Sequence, residues 1–270
     1  MKTGGPHWQV SAASTPLRRA PRNDAPLETE LLHGESFQVK EEQGRWVRGV
    51  CLHDDYPGWA EKSAFSSDAF EPTHLVRVLR TYRYSEPDLK SVPLNLISMN
   101  ARVHLEQNVS GRFRQDARGG WLVADHVGPV GEKQPDFVAV AEHFLGAPYY
   151  WGGRTSLGLD CSALVQNALF QAGLKVPRDS GPQQQHFLQQ NPRVLFEAGK
   201  TDRGWHTISF ARGDLVFWRG HVAIMVDSTQ LVHANATHMA VTINPLKDFA
   251  EKIFASDGDV SAIIRPQIDN

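Results

Sequence analysis

Hydrophobic and polar residues follow three successive patterns along the chain. From Leu31 to Val123, short stretches of alternating polarity separated by turn residues predict brief strands, as in Phe37-Gln38-Val39 and Trp46-Val47-Arg48-Gly49-Val50. Apolar residues spaced by three and four then predict helices, and short apolar runs after residue 214 predict strands again. Helices grouped before strands indicate an α+β domain with a mostly antiparallel sheet.

The front half carries two similar patterns. Gly44-Arg45-Trp46-Val47 resembles Gly119-Gly120-Trp121-Leu122-Val123, and runs such as Asp54-Asp55-Tyr56-Pro57-Gly58 have turn chemistry. Short strands spaced by such turns are typical of small all-β barrels. We therefore expect an N-terminal arm at 1–14, barrels at 15–70 and 71–130, a linker around 128–135, and an α+β domain at 136–270.

One predicted helix begins with a cysteine. Leu164, Val165, Ala168, Leu169 and Ala172 recur on one face after Cys161, and Gly173 is a plausible stop. The unpaired N–H groups and the dipole of a helix start favour a thiolate. The backbone N–H of Cys161 would also be a natural oxyanion donor.

Two histidines follow at strand-like positions. His221 starts an apolar strand on which it shares a face with Ala223, whose small side chain leaves room for the cysteine helix. His233 lies on the next strand and could fix the tautomer and ring orientation of His221. A thiolate with such imidazoles is what covalent catalysis by cysteine requires.

Other interpretations of these residues are possible. A lone cysteine in an apolar helix is usually a small core residue, and a buried histidine can be structural. Cysteine and histidine are also zinc ligands, but the chain has no CxxC or HxxxH pair. We therefore expect no metal and no organic cofactor.

Composition and charge narrow the function classes. Of 270 residues, 41% are hydrophobic, and 28 basic against 30 acidic residues give a net charge of −2. Such a balance provides no global field for nucleic acid or an anionic membrane. The start of the sequence lacks the apolar run of a signal peptide, so we expect a cytoplasmic protein. Cys51 and Cys161 should be reduced thiols, and the oligomeric state is left open, with a monomer expected.

Five segments resemble one known family. They have the sequences PYYWGG, LDCS, RGDLVF, GHVAI and LVHA, beginning at Pro148, Leu159, Arg212, Gly220 and Leu231. In this order they resemble the NlpC-type cell-wall endopeptidases, which have a papain-like fold. The front half more loosely resembles the two bacterial SH3-like barrels that accompany some members.

The resemblance implies a role for each matching residue. Cys161 would be the nucleophile, His221 the base and His233 the orienting third member, while Tyr149 would be a second oxyanion donor. Asp160 suits N-capping, but in relatives with two barrels its counterpart binds a substrate α-ammonium. The further substrate-binding residues implied are Ser162, Trp151, Ser180, Tyr56 of the turn Tyr56-Pro57-Gly58-Trp59, and Glu28, with Glu30 as the alternative.

These roles imply an endopeptidase that cuts the γ-D-glutamyl bond to a diamino acid, lysine or diaminopimelate, in small murein peptides. Because the ammonium of L-Ala would need partners after desolvation, substrates with a blocked amino end should be rejected. The product would be L-Ala-γ-D-Glu, in peptide recycling. The alternatives are a lytic wall endopeptidase with an open groove, a non-catalytic peptidoglycan-binding protein, and an acyltransferase.

Overall fold

The computed structural model describes residues 7–190 and 193–268, and the chain divides into two compact units. The first unit extends to Glu132 and also includes Trp151–Ser156, whereas the second comprises residues 133–150 and the chain from Leu157 onward. The division falls within the predicted linker. The six residues Trp151–Ser156, expected in the α+β domain, instead belong to the first unit.

The first barrel is an antiparallel sheet with the strand order β3-β2-β6-β5-β4-β1-β7. The strands predicted around Phe37 and Val47 are both present. The expected arm is wrong from His7 onward, because His7–Val10 pairs with β4 and buries Val10; residues 1–6 lie outside the described residues. The strands are β1 His7–Val10, β2 Ser14–Arg18, β3 Leu27–Leu32, β4 Ser36–Gln43, β5 Trp46–Cys51, β6 Pro57–Glu61 and β7 Phe65–Ser66.

The second β-domain of this unit has a core of its own, built around Val76, Ile97 and Leu122. Its two sheets have the orders β10-β9-β14-β13-β12 and β11-β8-β15. The strands are β8 His74–Val76, β9 Arg80–Tyr84, β10 Pro93–Ser98, β11 Arg102–Val103, β12 Leu105–Ser110, β13 Phe113–Asp116, β14 Trp121–Val123 and β15 Val127–Pro129, and β16 Arg154–Thr155 also belongs to the first unit.

The second unit has the predicted α+β arrangement with an antiparallel sheet of order β18-β23-β19-β20-β21-β22. Three helices precede this sheet as predicted, but a fourth lies between its last two strands in sequence. Helix α2 packs on β20 and β21, two interior strands of this sheet. The elements are α1 Phe137–Glu142, β17 Gly158–Leu159, α2 Cys161–Gln171, α3 Ser180–Gln190, β18 Val194–Glu197, β19 Leu215–Trp218, β20 His221–Met225, β21 Gln230–Asn235, β22 Ala240–Pro245, α4 Leu246–Asp257 and β23 Ala262–Ile264.

Helix α2 is buried more completely than one apolar face predicts. Its apolar stripe is buried, but so are the polar side chains of Gln166 and Asn167. The helix ends as predicted, since Gly173 has a φ of +88° and its N–H donates to Phe170 while that of Leu174 donates to Leu169. This is a Schellman motif, which favours glycine at the left-handed position.

Candidate active site

Cys161 begins α2, and Asp160 is its N-cap. The backbone of Asp160 is extended, and its Oδ1 accepts a hydrogen bond from the N–H of Ala163 at 2.9 Å. The cap satisfies one of the N–H groups that a helix start leaves without an intrahelical partner. The prediction that the helix begins at the cysteine is confirmed.

The Cys161 thiol lies against the backbone of the strand that carries His221. Its Sγ is 3.9 Å from the carbonyl oxygen of Gly220, and the backbone N–H of Val222 also binds it. Burial raises the pKa of Cys161 to about 12, and the negative charge of Asp160 acts in the same direction. The helix start therefore lowers the pKa of the thiol less than burial raises it. Cys161 is a neutral thiol near pH 7, and the expected thiolate is not found.

His221 and His233 form a hydrogen-bonded pair on neighbouring strands. Nε2 of His221 lies 2.9 Å from Nδ1 of His233, and Nε2 of His233 lies 3.1 Å from Oδ1 of Asn244. Both rings are buried. The structure thus brings His233 to the position in which it can orient His221.

Aromatic side chains enclose the histidine pair. Phe249 lies edge-on to His233, with ring centroids 4.1 Å apart, and Trp218 contacts His221. Burial lowers the pKa of His221 to about 4, although the charge of Asp160 opposes this, and burial lowers that of His233 to about 3. Both imidazoles are consequently neutral near pH 7, so His221 is able to accept a proton.

Asp160 is part of a buried ionic cluster. Arg178 grips its carboxylate at both oxygens, with Nη1–Oδ1 and Nη2–Oδ2 distances of 2.8 and 2.7 Å. Ser162 joins the cluster, since its hydroxyl donates to Asp160 and accepts from Arg178. Bidentate pairing fixes the orientation of the carboxylate beside Cys161.

Tyr149 and Ser180, also predicted at the site, belong to the same unit. Burial raises the pKa of the half-buried Tyr149, and the negative charge of Asp160 raises it further. Its hydroxyl therefore keeps its proton and remains a hydrogen-bond donor. Ser180 is buried at the start of α3, two residues after Arg178.

Three predicted substrate-binding residues belong to the first unit. Tyr56 packs against the core of the first barrel, and its carbonyl accepts a hydrogen bond from Cys51. Glu28 forms an ion pair with Arg19. Trp151 is 70% exposed.

The first unit also holds an ion pair that the sequence did not reveal. Arg154 binds Glu35 with N–O distances of 3.0 and 3.1 Å, while its backbone N–H donates to Glu30 at 2.9 Å. Burial disfavours the charged form of Glu35, but Arg154 and other cations hold its pKa at about 2.

Gly152, in the same segment as Arg154, has a φ of +78°, and a Cβ there would lie 2.9 Å from Leu27. Glycine is therefore required in the Trp-Gly-Gly motif.

Two further contributors to the site were missed. Neither Arg178 nor Asn244 was predicted from the sequence as a site residue. Neither carries a local signal, because their partners lie 18 and 11 residues away in sequence.

Among the described residues, no group of three or more histidine, cysteine or acidic side chains is arranged to hold a metal ion. The described helices also include none long and apolar enough to span a membrane.

Comparison with known proteins agrees with this architecture. The NlpC/P60 family model matches residues 146–256, and that of the bacterial dipeptidyl-peptidase Sh3 domain matches 17–65. Gamma-D-glutamyl-L-lysine dipeptidyl-peptidases from Bacillus cereus and Bacillus subtilis are 27% and 24% identical to this chain. The alignments cover 82% and 83% of this chain and 71% and 78% of the relatives.

A solved structure has the same fold. An NlpC/P60 family protein from Bacillus cereus superposes with a TM-score of 0.75 at 20% identity, over 97% of this chain and 100% of that one. A cysteine at a helix start, with a histidine pair on the adjoining antiparallel sheet, defines a papain-like cysteine peptidase. More particularly, the chain carries an NlpC/P60 domain preceded by a bacterial dipeptidyl-peptidase SH3 domain. It is a hydrolase of the cysteine peptidase class.

Proposed function

We propose that this enzyme hydrolyses the bond between γ-D-glutamate and a diamino acid in murein peptides with a free N-terminal L-Ala, releasing L-Ala-γ-D-Glu. The observation that carries the proposal is Asp160, a carboxylate fixed directly beside the thiol of Cys161. An α-ammonium that leaves water needs such an acceptor. The substrate named for the relatives from both Bacillus species supports the same bond.

The first half of the reaction forms a thioester. As the Sγ of Cys161 attacks the γ-carbonyl carbon of D-Glu, His221 accepts the thiol proton. Because the resting thiol and imidazole are both neutral, this transfer accompanies the attack. The oxyanion is bound by the N–H of Cys161, with the Tyr149 hydroxyl as a second donor.

The second half of the reaction releases both products. His221 gives its proton to the departing amine of the diamino acid, and the C–N bond breaks. Water then attacks the thioester while His221 takes a proton from it, and the proton returns to the sulfur of Cys161 as the γ-carboxylate leaves. His233 keeps the ring of His221 oriented through both steps.

Replacing the nucleophile tests the mechanism. Cys161→Ala should abolish release of L-Ala-γ-D-Glu from L-Ala-γ-D-Glu-diamino acid, followed by mass spectrometry. Cys51→Ala is the matched control, because Cys51 is the other buried free thiol and lies in the first barrel. Wild-type turnover by the Cys161 variant would refute covalent catalysis at this residue.

N-acetylating the substrate tests recognition of the ammonium. We expect kcat/KM to fall by about 100-fold, since an ammonium hydrogen-bonded to carboxylates is worth about 2–3 kcal/mol. Equal rates on free and acetylated peptides would instead favour a lytic wall endopeptidase. A panel with lysine or diaminopimelate at the third position would identify the preferred diamino acid.

The remaining assignments are also proposals. Tyr56→Phe, Glu28→Gln and Trp151→Ala each test a substrate-binding role, for which KM should rise more than kcat falls.

We also propose a cytoplasmic enzyme, a location supported by the two unpaired cysteines. Cell fractionation tests this location, and size-exclusion chromatography tests the expected monomer.

A further inference from the structure

A continuous chain of hydrogen bonds runs from the end of β21 to His221. The antiparallel register of β21 and β22 places His233 opposite Thr242 and Asn235 opposite Ala240. Since alternate residues share a face of a sheet, Asn244 lies on the same face as these polar side chains. The links are Asn235–Thr242 at 2.8 Å, Thr242–Asn244 at 2.7 Å, Asn244–His233 at 3.1 Å and His233–His221 at 2.9 Å.

At the Asn235 end of this hydrogen-bond network, backbone groups determine which atoms donate and which accept. The backbone N–H of His238 can only donate, and it donates to Oδ1 of Asn235 at 2.9 Å. The Nδ2 group of Asn235 must then face the other way, toward Thr242 Oγ1 and the carbonyl oxygen of Ala240. The orientation of the Asn235 amide is therefore fixed by the main chain.

The orientation of the Asn235 amide determines the donors and acceptors of the network as far as the histidine pair. Because the Thr242 hydroxyl accepts from Asn235, its own proton is available to donate to Oδ1 of Asn244. The same Oδ1 atom faces Nε2 of His233, so this nitrogen must carry the proton of a neutral ring. Nδ1 of His233 is then an acceptor for the Nε2–H of His221, and Nδ1 of His221 is left with a lone pair.

We infer that Asn244, oriented by Thr242 and Asn235, is a positioning residue that selects the tautomers of His233 and His221 and so makes Nδ1 of His221 the proton acceptor. The inference rests on the proposed role of His221 as base. It extends the site beyond His233 to a network that continues across β22. Aromatic packing by Phe249 holds the rings, but only the hydrogen bonds distinguish their two nitrogens.

The direct test is histidine tautomer assignment by NMR on ¹⁵N-histidine-labelled full-length protein at neutral pH. Signals are assigned with His221→Gln and His233→Gln. Both rings should be protonated at Nε2 in the wild type. An Nδ1–H ring at either position would overturn the inference. Because the measurement needs no substrate, it is independent of the proposed function: wild-type protein that shows these tautomers but cleaves no murein peptide would refute only the latter.

Two pairs of variants separate positioning from packing. Asn244→Leu removes the acceptor and should lower kcat about 10–100-fold with KM within about twofold, whereas Asn244→Asp keeps the acceptor oxygen and should recover most of kcat. Thr242→Val and Thr242→Ser form the second pair, without and with the hydroxyl, so the test survives if a change at Asn244 prevents folding. Thr207→Val, an exposed threonine outside the network, is the control for general effects.

The tautomer spectra of the same variants complete the experiment. In Asn244→Leu and Thr242→Val, the Nε2–H population of His233 should fall, and the serine and aspartate variants should retain it. Wild-type spectra and wild-type kcat in both Asn244→Leu and Thr242→Val would overturn the inference. A kcat loss without any change in the histidine signals would also overturn it, because the effect would then be structural.

Discussion

Two buried arginine–carboxylate pairs in this protein have the same geometry but different surroundings. In the first unit Arg154 grips Glu35, and both side chains are 1% exposed. In the second unit Arg178 grips Asp160, whose side chain keeps 11% exposure and adjoins Cys161. Both pairs are bidentate, with N–O distances between 2.7 and 3.1 Å.

We call Arg154–Glu35 the enclosed pair and Asp160 the functional carboxylate, because only Asp160 adjoins the nucleophile. Glu35 also accepts the N–H of Leu32, so the pair ties the segment containing Arg154 to the first barrel. Asp160 instead caps the helix that presents the thiol. Desolvation makes neither pair a large source of stability, but removing one partner leaves the other charge buried and uncompensated. Substituting either carboxylate should therefore lower the stability of the protein, since Arg154 and Arg178 are both 1% exposed, whereas only Asp160 should also affect substrate selectivity.

The largest effect is expected at the enclosed pair. Glu35→Ala should lower the free energy of unfolding by about 3–5 kcal/mol, because Arg154 stays buried without its partner. Urea denaturation followed by tryptophan fluorescence measures this. The double variant Glu35→Leu/Arg154→Met should recover most of the loss, since apolar residues can replace a buried pair. Glu28→Ala, which breaks the exposed pair with Arg19, should leave stability unchanged, and equal losses at both glutamates would contradict the distinction.

Substituting the functional carboxylate should change selectivity in addition to lowering stability. Asp160→Asn keeps the size and an N-cap acceptor but removes the charge, so we expect the preference for free over acetylated peptide to fall about 100-fold. Rates on both substrates measure it. Asp136→Asn is the control, because Asp136 also caps a helix, α1, and pairs with an arginine, Arg212, but at an exposed position. An unchanged preference in the Asp160 variant would remove this residue from ammonium recognition.

Local patterns predicted one pair's position far better than the other's. The spacing of Leu164, Val165 and Ala168 located the helix, and with it Asp160 as a cap. Glu35 and Arg154 are 119 residues apart, and nothing in the surrounding sequence of either indicates a buried charge. The strand at His7 was missed for a similar reason, since its identity depends on pairing with β4. Asn244 acquires its role only through the register of β21 and β22.

The surroundings of the enclosed pair should also make it sensitive to pH. Nδ1 of His53 accepts a hydrogen bond from Arg102 at 2.8 Å, and burial lowers the pKa of His53 to about 3. The unfolded chain takes up this proton below about pH 6.5, whereas the folded protein does not, so stability is complete above pH 6.5 and falls as the pH decreases toward 3. Between pH 7 and pH 5 the loss should be about 2 kcal/mol.

The variant His53→Gln isolates this contribution. Glutamine can accept from Arg102 but does not titrate, so the variant should lose about 2 kcal/mol less than the wild type between pH 7 and pH 5. The contributions of other buried histidines, such as His33, are common to both proteins and cancel in the difference. Parallel pH profiles from urea denaturation would show that His53 does not titrate differently on unfolding.

The smallest effect concerns the other end of the helix that Asp160 caps. Gly173→Ala places a Cβ at a φ of +88° and about 3.0 Å from the flexible side chain of Lys133, so stability should fall by about 1 kcal/mol. Gly181→Ala is the opposite control, since that helical glycine has open space around it and should gain slightly in stability. Denaturation and the free-to-acetylated rate ratio are measured for both. If Gly173→Ala weakens the helix without changing that ratio, the selectivity effect of Asp160→Asn arises from its carboxylate and not from loss of helix stability.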